Sequence, residues 1–314
     1  MSKCLICTNS VKGSNNYHTK CLQELFGRDY LPTLNVTIEE LNHLAKRSVL
    51  NRVTIPGVQT KLSLEIEKKT TEADKLTIVG LWGRFILKPP SSTWPELPEN
   101  EHSTMLMAKS IDIETVPCGL IHLSSGERAY ITKRIDRDSS GNKFAMEDMC
   151  QLTGRLTEDK YKGSHEQIAK IIKQFSANPI FDITRFFELV FFSYLTGNGD
   201  MHLKNFSLFN DPKQGWKLAP CYDLLSTRLV ISKDDDPDEL SLTIAGKKSS
   251  FTIETFRNFG ITIGLNKKQI DNILDKFESH RNNFEEVIEK SFLSDELKIK
   301  YLEIITGRFN IFDG

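Results

Sequence analysis

The run of residues 182–195 constrains the fold of this chain more than any other feature of its sequence. It reads Asp-Ile-Thr-Arg-Phe-Phe-Glu-Leu-Val-Phe-Phe-Ser-Tyr-Leu and is apolar on nearly every side at helical spacing. Such a helix leaves no polar face for water, so it must be packed on all sides. The sequence therefore predicts a buried central helix in a sizeable core, which a chain of 314 residues can form.

The overall composition is that of an ordinary globular protein. The chain is 39% hydrophobic and 26% charged, and its 41 basic and 42 acidic side chains give a net charge of −1. This balance argues against a general nucleic-acid or membrane-surface binder. No apolar run approaches the roughly 20 residues that span a bilayer, and the first residues contain no apolar signal-peptide core. We therefore expect an intracellular protein without direct nucleic-acid or membrane contacts.

Three of the six cysteines lie near the start of the chain, with a histidine between them. Cys4, Cys7, His18 and Cys21 follow the spacing Cys-x2-Cys-x10-His-x2-Cys. Three thiolates and one imidazole are an allowed tetrahedral ligand set for Zn²⁺. The alternative is a short hairpin with reduced cysteines, and the sequence leaves both interpretations open. A disulfide scaffold is not expected in a chain of this length.

The predicted elements change from strands to helices along the chain. A helix over 37–50 should begin with a capping box between Thr37 and Glu40. Alternation of apolar and polar residues over 61–67 and short strand-like runs after it predict strands up to residue 133, and helical patterns dominate after residue 147. The expected strands are 61–67, 84–88, 119–122 and 129–133, and the expected helices include 99–111, 182–195 and those within 267–309. This order predicts an α+β protein with a β-rich N-terminal lobe and a helical C-terminal lobe.

The segment 197–208, Gly-Asn-Gly-Asp-Met-His-Leu-Lys-Asn-Phe-Ser-Leu, follows the apolar helix and carries the strongest catalytic signal. Phosphoryl transfer needs a carboxylate that orients the attacking hydroxyl, and the protein-kinase catalytic loop places an Asn five residues after that Asp. Asp200 and Asn205 reproduce this offset, and Lys204 could place positive charge near the transferred phosphate. The alternative is a polar turn in which Asn and Gly only allow the backbone to adopt a turn conformation.

A second acidic motif makes the catalytic interpretation stronger. Asp223 follows Asn205 across a predicted short hairpin, in the sequence Ala-Pro-Cys-Tyr-Asp-Leu-Leu. Kinases keep a second magnesium ligand at this place, and Mg²⁺ favours one or two oxygen ligands from the protein together with phosphate oxygens. Because Leu-Leu rather than Phe-Gly follows Asp223, the chain is not an ordinary eukaryotic-type kinase.

Upstream segments offer candidate ATP contacts. Lys88 ends a strand-like run that resembles the one carrying the ATP lysine of kinases, and Glu101 on the next helix is its expected carboxylate partner. This ion pair could instead lie on the surface and contribute little. Lys61 closes a turn with a single glycine, which is a weak phosphate motif. Asp136 lies where a hinge could contact adenine and ribose, although a strand ending in a charged turn fits equally well.

These segments, taken together in order, resemble the HipA-like kinases, the toxin components of bacterial toxin–antitoxin modules. The resemblance extends over roughly residues 50 to 250. Its pieces are 55–64 (Ile-Pro-Gly-Val-Gln-Thr-Lys-Leu-Ser-Leu), 86–89 (Ile-Leu-Lys-Pro), 100–101 (Asn-Glu), 134–137 (Arg-Ile-Asp-Arg), 147–151 (Glu-Asp-Met-Cys-Gln), 199–205 (Gly-Asp-Met-His-Leu-Lys-Asn) and 220–223 (Pro-Cys-Tyr-Asp).

The resemblance implies a bilobal kinase fold and a role for each matching residue. It makes Asp200 the catalytic base, with His202 and Lys204 in the same loop, and gives Mg²⁺ to Asn205 and Asp223. The ATP contacts that it implies are Gly57, Val58, Gln59, Lys61, Lys88, Glu101, Lys133, Ile135 and Asp136. Members of this family phosphorylate a hydroxyl in the glycine loop, which here corresponds to Thr54, where Ser is usual.

The resemblance also implies an organisation and partners. The expected domains are a Cys/His segment over 1–35, an N-lobe over 36–135 and a helical C-lobe over 136–314. Because only some 50 residues precede the glycine loop, the chain resembles the short HipT kind, in which a separate small protein supplies the missing N-terminal subdomain and acts as antitoxin. A helix-turn-helix DNA-binding companion and an aminoacyl-tRNA synthetase as substrate are further expectations, all within the bacterial cytoplasm.

Two other functional classes stay open at this stage. Small-molecule phosphotransferases use the same catalytic groups, because phosphoryl transfer from ATP requires them for any hydroxyl acceptor. A catalytically silent kinase-like binding module in a repressor complex is the second alternative. The presence of Lys88, Asp200, Asn205 and Asp223 argues against a silent module, which usually lacks at least one of these groups. Delivery into another cell is a third possibility on which the sequence is silent.

Overall fold

The structure is a computed structural model that describes residues 2–13, 16–49, 60–68, 74–79, 82–138 and 140–313. The chain divides into two compact units. The first contains Met1–His102 and Val116–Lys143, and the second contains Ser103–Thr115 and Phe144–Gly314. Within the described residues, no helix is both long and apolar enough to cross a membrane.

The first unit is built on a five-stranded antiparallel sheet in the order β4-β3-β5-β7-β6. Its strands are β3 (Leu62–Glu67), β4 (Lys75–Val79), β5 (Phe85–Lys88), β6 (Cys118–His122) and β7 (Arg128–Lys133). Burial alternates along β3, as expected for a strand with one face on a core. A small hairpin of β1 (Ser2–Lys3) and β2 (Ser10–Val11) precedes the sheet in the chain.

Three helices accompany this sheet in the chain. They are α1 (Thr19–Phe26), α2 (Ile38–Val49) and α3 (Leu97–Ser110), of which the last continues into the second unit. The predicted capping box of α2 is present, because Glu40 N–H donates to the Thr37 hydroxyl and Thr37 N–H donates to the Glu40 carboxylate. Residues of α1 join the core beneath the sheet, where Phe26 packs on Phe85 with ring centroids 5.5 Å apart.

The second unit is mostly helical and carries one small sheet. The sheet has the order β10-β9-β8, and a hairpin joins its last two strands in the chain. The strands are β8 (Met146–Asp148), β9 (Ser207–Asp211) and β10 (Gly215–Leu218), and the helices after α3 are α4 (Met149–Leu152), α5 (His165–Phe175), α6 (Pro179–Leu195), α7 (Ile253–Thr262), α8 (Lys267–Ser279), α9 (Arg281–Lys290) and α10 (Asp295–Phe309).

Helix α6 contains the apolar run from which the fold was predicted, and most of it is buried. Its fully buried phenylalanines are Phe186, Phe187, Phe191 and Phe192. The burial does not extend to the first turn, where Ile180 and Phe181 are 70% and 58% exposed. The predicted α+β class, with strands first and helices later, is confirmed.

Candidate active site

The end of α6 leads directly into the loop that carries Asp200. Gly197 has a φ of +64°, and a Cβ at this position would lie 2.9 Å from Cβ of Arg228. Only glycine fits such a left-handed, crowded position without strain. The loop is held further by the Gly199 N–H, which donates to the Thr227 hydroxyl at 2.9 Å. The turn therefore sets the direction in which the chain leaves the buried helix.

Within this loop, the structure brings Asp200 and Asn205 together. The Asn205 side-chain amide donates to the main-chain carbonyl of Asp200 at 2.9 Å. Asn205 closes a short 3-10 turn, Leu203–Asn205, and is buried. This hydrogen bond fixes the orientation of the amide, whose oxygen is the one side-chain atom of Asn205 that can accept a hydrogen bond or bind a metal.

The Asp200 carboxylate has two aromatic neighbours. The Tyr161 hydroxyl donates to Oδ1 of Asp200 at 2.7 Å, and Nε2 of His202 lies 4.0 Å from the same oxygen, beyond hydrogen-bonding distance. Burial lowers the pKa of His202 to about 4, against the opposing effect of the Asp200 charge. His202 is therefore neutral at neutral pH. The Asp200 side chain is 40% exposed, so solvent and a substrate hydroxyl can reach it.

Asp223 is attached to the same loop through its neighbour Tyr222. The Tyr222 hydroxyl is within 3.1 Å of the Lys204 carbonyl and 2.5 Å of the Ser207 hydroxyl. Asp223 itself has a φ of +56°, in the left-handed region that non-glycine residues seldom occupy. Such backbone strain concentrates at functional sites, where the surrounding contacts hold it. Tyr222 thus connects the segment carrying Asp223 to the segment carrying Asn205.

Lys204 has a partner that the sequence did not predict. Its ammonium lies 2.9 Å from the carboxylate of Asp148. Asp148 is also the N-cap of α4, and it forms a capping box with Gln151. The carboxylate of Asp148 therefore offsets the positive charge of Lys204 within this unit. A role of Lys204 in binding a phosphate stays a prediction.

Lys88 and Glu101 form a buried ion pair in the first unit. The Lys88 Nζ lies 2.5 Å from Oε1 of Glu101, and the two side chains are 2% and 1% exposed. The same ammonium lies 5.3 Å from the centroid of the Tyr130 ring, a distance at which a cation is attracted to an aromatic face. The alternative of a surface ion pair is therefore excluded for these two residues.

The predicted ATP contacts Lys61, Lys133, Ile135 and Asp136 lie elsewhere in the first unit. Asp136 accepts two hydrogen bonds from Arg134, at 2.8 and 2.6 Å, so its carboxylate already has a bidentate partner. Lys133 ends β7 and Ile135 is half-buried just beyond it. Lys61 is exposed immediately before β3. The predicted contacts Gly57, Val58 and Gln59 and the predicted phosphorylation site Thr54 lie outside the described residues.

The structure also brings together the four residues of the predicted metal cluster. The ligand atoms of Cys4, Cys7, His18 and Cys21 all lie within 4.8 Å of one another. Four ligands at such separations can surround one tetrahedral metal ion.

The sequence analysis did not predict three contacts of the candidate site: Tyr161 with Asp200, Tyr222 with the Lys204 carbonyl, and Asp148 with Lys204. Tyr161 and Asp148 are 39 and 56 residues away from their partners in the sequence. No local spacing signals such pairs. Tyr222 precedes Asp223 directly, so its position beside a candidate metal ligand was the one available signal.

The chain matches a known family over much of its length. Residues 53–284 match the family described as the HipA-like C-terminal domain. A Haemophilus influenzae protein named "Putative kinase" is 29% identical over 77% of this chain and 76% of its own length. The Sinorhizobium fredii "Putative kinase Y4dM" is 33% identical over 59% of this chain and 47% of its own length. The "Serine/threonine-protein kinase toxin HipA" of Shewanella oneidensis is 27% identical over 61% of this chain.

The chain spans about half the length of the last two relatives, 47% of Y4dM and 49% of HipA. Its fold also occurs in solved structures. HipA in the Shewanella oneidensis complex of HipA, HipB and operator DNA aligns with a TM-score of 0.67 at 22% identity, over 82% of this chain and 65% of HipA. The Helicobacter pylori proinflammatory kinase CtkA aligns with a TM-score of 0.57 at 15% identity, over 80% of this chain and 93% of CtkA. The predicted resemblance is confirmed, and the chain belongs to the HipA-like C-terminal domain family.

Proposed function

We propose that this chain is an ATP- and Mg²⁺-dependent serine/threonine protein kinase and the toxin of a bacterial toxin–antitoxin module. The observation that carries the proposal is the loop in which Asn205 hydrogen-bonds the main chain of Asp200. Kinase catalytic loops use an Asp and an Asn at this offset to orient the attacking hydroxyl and to bind magnesium. Relatives named as kinases support the same function.

In the proposed reaction, Asp200 is the general base. Its partly exposed carboxylate accepts the proton of a Ser or Thr hydroxyl while the hydroxyl oxygen forms a bond to the γ-phosphorus of ATP. The bond from that phosphorus to its bridging oxygen breaks, and ADP leaves with the electron pair. Tyr161 donates to Oδ1 of Asp200, so the carboxylate is held while Oδ2 can accept the proton.

The candidate magnesium ligands are Asn205 and Asp223. Their amide and carboxylate oxygens are the hard donors that Mg²⁺ prefers, and two protein ligands leave room for phosphate oxygens and water. When bound, Mg²⁺ would neutralise charge on the phosphates. Tyr222 and the Asn205 amide serve this site by fixing the two segments that carry the ligands.

On the ATP side, Lys88 would bind phosphate oxygens. Its ion pair with Glu101 is buried, so the ammonium is held at one place rather than moving with a long side chain. Lys133, Ile135 and Asp136 remain the candidates for adenine and ribose contacts. Asp136 would have to share its carboxylate with Arg134 to do so.

The proposed substrate is a hydroxyl on a protein of the translation machinery in the cytoplasm, an aminoacyl-tRNA synthetase by resemblance to the family. Autophosphorylation of Thr54 is the proposed regulation. The HipA structure that shares this fold was solved with HipB and operator DNA. This supports a HipB-like DNA-binding companion for the present chain, together with the small antitoxin-like protein that the resemblance implies.

The decisive variant is Asp200→Asn, which keeps the shape of the side chain and removes its basicity. Loss of a general base slows transfer by about 10²–10⁴-fold. Incubation with ATP and Mg²⁺ followed by intact-mass spectrometry should show added phosphate on the wild type and none on the variant. Asp275→Asn, which changes an exposed carboxyl on α8, is the matched control and should behave as wild type.

The same assay separates the other functional classes. Phosphate transfer to small hydroxyl compounds but to no protein, including the chain itself, would make the chain a small-molecule phosphotransferase. ATP binding without transfer to any acceptor would make it a binding module. Equal phosphate incorporation in wild type and Asp200→Asn would remove Asp200 from its proposed role.

A further inference from the structure

The cluster of Cys4, Cys7, His18 and Cys21 lies outside residues 53–284, which match the family, and the proposed phosphoryl transfer does not use it. Cys4 is fully buried, whereas the other three are half-buried. Three thiols and one imidazole therefore lie around one point, and the close approach of four potential metal ligands needs an explanation.

The distances within the cluster suit a tetrahedral metal. Sγ of Cys7 lies 3.3 Å from Nδ1 of His18, and Sγ of Cys21 lies 4.0 Å from the same nitrogen. Zn–S bonds of about 2.3 Å and Zn–N bonds of about 2.0 Å place tetrahedral ligand atoms roughly 3.5–3.8 Å apart. The two distances to the histidine nitrogen therefore lie within about half an ångström of those in a tetrahedral zinc site.

The ring of His18 is oriented as a metal ligand. Its Nε2 lies 3.1 Å from the carbonyl oxygen of Ser10, and a carbonyl can only accept, so Nε2 carries the proton. Nδ1 is then the unprotonated nitrogen, and it is the one that faces the thiols. Metal-binding histidines almost always donate their other ring N–H to a carbonyl or carboxylate.

The backbone between the first two cysteines is also arranged around a sulfur. The Ile6 N–H points at Sγ of Cys4 at 3.5 Å, and the Thr8 N–H donates to the Cys4 carbonyl at 2.9 Å. Thr8 has a φ of +60°, a strained conformation for a β-branched residue. These contacts close a tight turn that presents Cys4 and Cys7 to the same point.

We propose that Cys4, Cys7, His18 and Cys21 bind one structural Zn²⁺. Binding exchanges the three thiol protons for the metal and involves no change of oxidation state. All four positions are filled by protein atoms, as in structural rather than catalytic zinc sites. None of the six cysteines, all of which lie in the described part of the chain, forms a disulfide.

The proposed zinc site supports two elements of the first unit. On β6, the Leu120 N–H donates to the Leu5 carbonyl at 2.8 Å, and a Cβ at Gly119 would lie 2.7 Å from the side chain of Ile6. On α3, the buried ring of His102 donates from Nε2 to the Ile6 carbonyl at 2.9 Å. His102 directly follows Glu101, so the turn between the cysteine ligands contacts the helix that holds the Lys88 ion pair.

Metal analysis of the purified 314-residue chain tests the site. Prepared without added zinc or chelator, it should contain about one zinc ion per chain by inductively coupled plasma mass spectrometry. The double variant Cys4→Ser/Cys21→Ser should retain less than about a tenth of that. Cys118→Ser is the matched control, because this half-buried thiol lies on β6 outside the cluster, and it should keep its zinc.

Loss of the buried Cys4 removes packing as well as a ligand, so the wild type and a conservative variant provide an independent test. Wild type refolded with Co²⁺ should show the intense visible absorption of tetrahedral thiolate cobalt. His18→Cys should keep metal, whereas His18→Ala should bind it more weakly. The proposal would be overturned if the chain contained stoichiometric iron instead of zinc. It would also be overturned if the chain were metal-free with six reactive thiols, or if it had four reactive thiols and one disulfide.

The effect on the fold is measured by hydrogen exchange with zinc bound and removed. Amides of β6 and of the first turns of α3 should exchange at least about tenfold faster without zinc, because the turn that contacts them loosens. Amides of α8, in the second unit, are the internal control and should not change. Unchanged exchange in both β6 and α3 would contradict the supporting role of the metal.

Discussion

At the scale of single residues, Tyr161 stands out because it donates its hydroxyl to the proposed catalytic carboxylate. Burial and the charge of Asp200 raise the pKa of Tyr161, so the hydroxyl stays protonated and can only donate to that oxygen. The ring also packs edge-on against His202, with centroids 5.1 Å apart. We therefore expect Tyr161 to act as a positioning residue that limits the rotation of the Asp200 carboxylate.

Tyr161→Phe removes the hydroxyl and keeps the ring packing. A hydrogen bond to a charged group contributes about 1.5–3 kcal/mol, and partial exposure of both side chains lowers this to about 1 kcal/mol. We expect kcat to fall about threefold to tenfold, with an unchanged KM for ATP, because the hydroxyl contacts the base and not the nucleotide. Steady-state kinetics with a protein acceptor measures both constants.

Tyr30→Phe is the matched control for this experiment. Tyr30 also interacts with a carboxylate, that of Asp74, but in the first unit and far along the chain from the catalytic loop. Its kinetics should equal those of the wild type. If Tyr161→Phe raised KM for ATP while leaving kcat intact, the positioning role would be wrong.

The same residues show what the sequence could and could not predict about the site. Asp200 and Asn205 were found because their relation is a fixed offset within one loop. Tyr161 and Asp148 were missed because the fold, and no local pattern, places them beside Asp200 and Lys204. Pairing of side chains across tens of residues depends on packing, which a single sequence does not encode in any short motif.

At the scale of elements, the junction between α6 and the loop that carries Asp200 sets the geometry of the candidate site. The helix is fixed by its buried phenylalanines, and Gly197 turns the chain at its end. The main chain of Arg228 donates to the Gly197 carbonyl at 3.2 Å, which closes the turn against the segment after Asp223. Gly197 is thus one of the residues that fix the position of Asp200, together with the contacts of Gly199 and Asn205.

Gly197→Ala should destabilise the chain by more than its backbone conformation alone explains. A left-handed φ costs an alanine about 1–2 kcal/mol, and the new Cβ would also lie 2.9 Å from Cβ of Arg228. Gly154→Ala is a close control, since its φ is +66° and no atom lies within 4 Å of the added Cβ. Urea unfolding should show the larger loss for Gly197→Ala, and equal losses would exclude the steric contribution.

Elements with a strong local pattern were predicted well. The strand predicted over 61–67 followed from alternation, and the capped start of α2 followed from a capping box. Helix α3 begins at Leu97, two residues before the predicted start, with Pro98 in its first turn, where a missing N–H costs nothing. The two-residue strands β1 and β2 were not predicted, because such short pairs have no periodicity to detect.

At the scale of the whole molecule, each unit has its own core, and the core of the second unit contains a buried titratable group. His165 lies among the rings of Phe186, Phe206 and Phe259, and its Nδ1 is 3.2 Å from the Thr243 carbonyl. Burial lowers the pKa of His165 to about 4, although the Thr243 carbonyl and the Glu166 charge oppose this. The folded chain therefore keeps His165 neutral at a pH where the unfolded chain protonates it.

The sign of the pH dependence follows from these pKa values. Between about pH 6.5 and pH 4 the unfolded state binds more protons at His165 than the folded state does, so stability falls as pH is lowered through this window. The full effect of one such histidine is on the order of 3 kcal/mol. Urea unfolding at pH 7 and pH 5 should therefore show a smaller acid loss for His165→Gln than for the wild type. His43→Gln changes an exposed histidine on α2 and should show the same acid loss of stability as the wild type. An identical loss between pH 7 and pH 5 in all three chains would exclude His165 as a source of acid sensitivity.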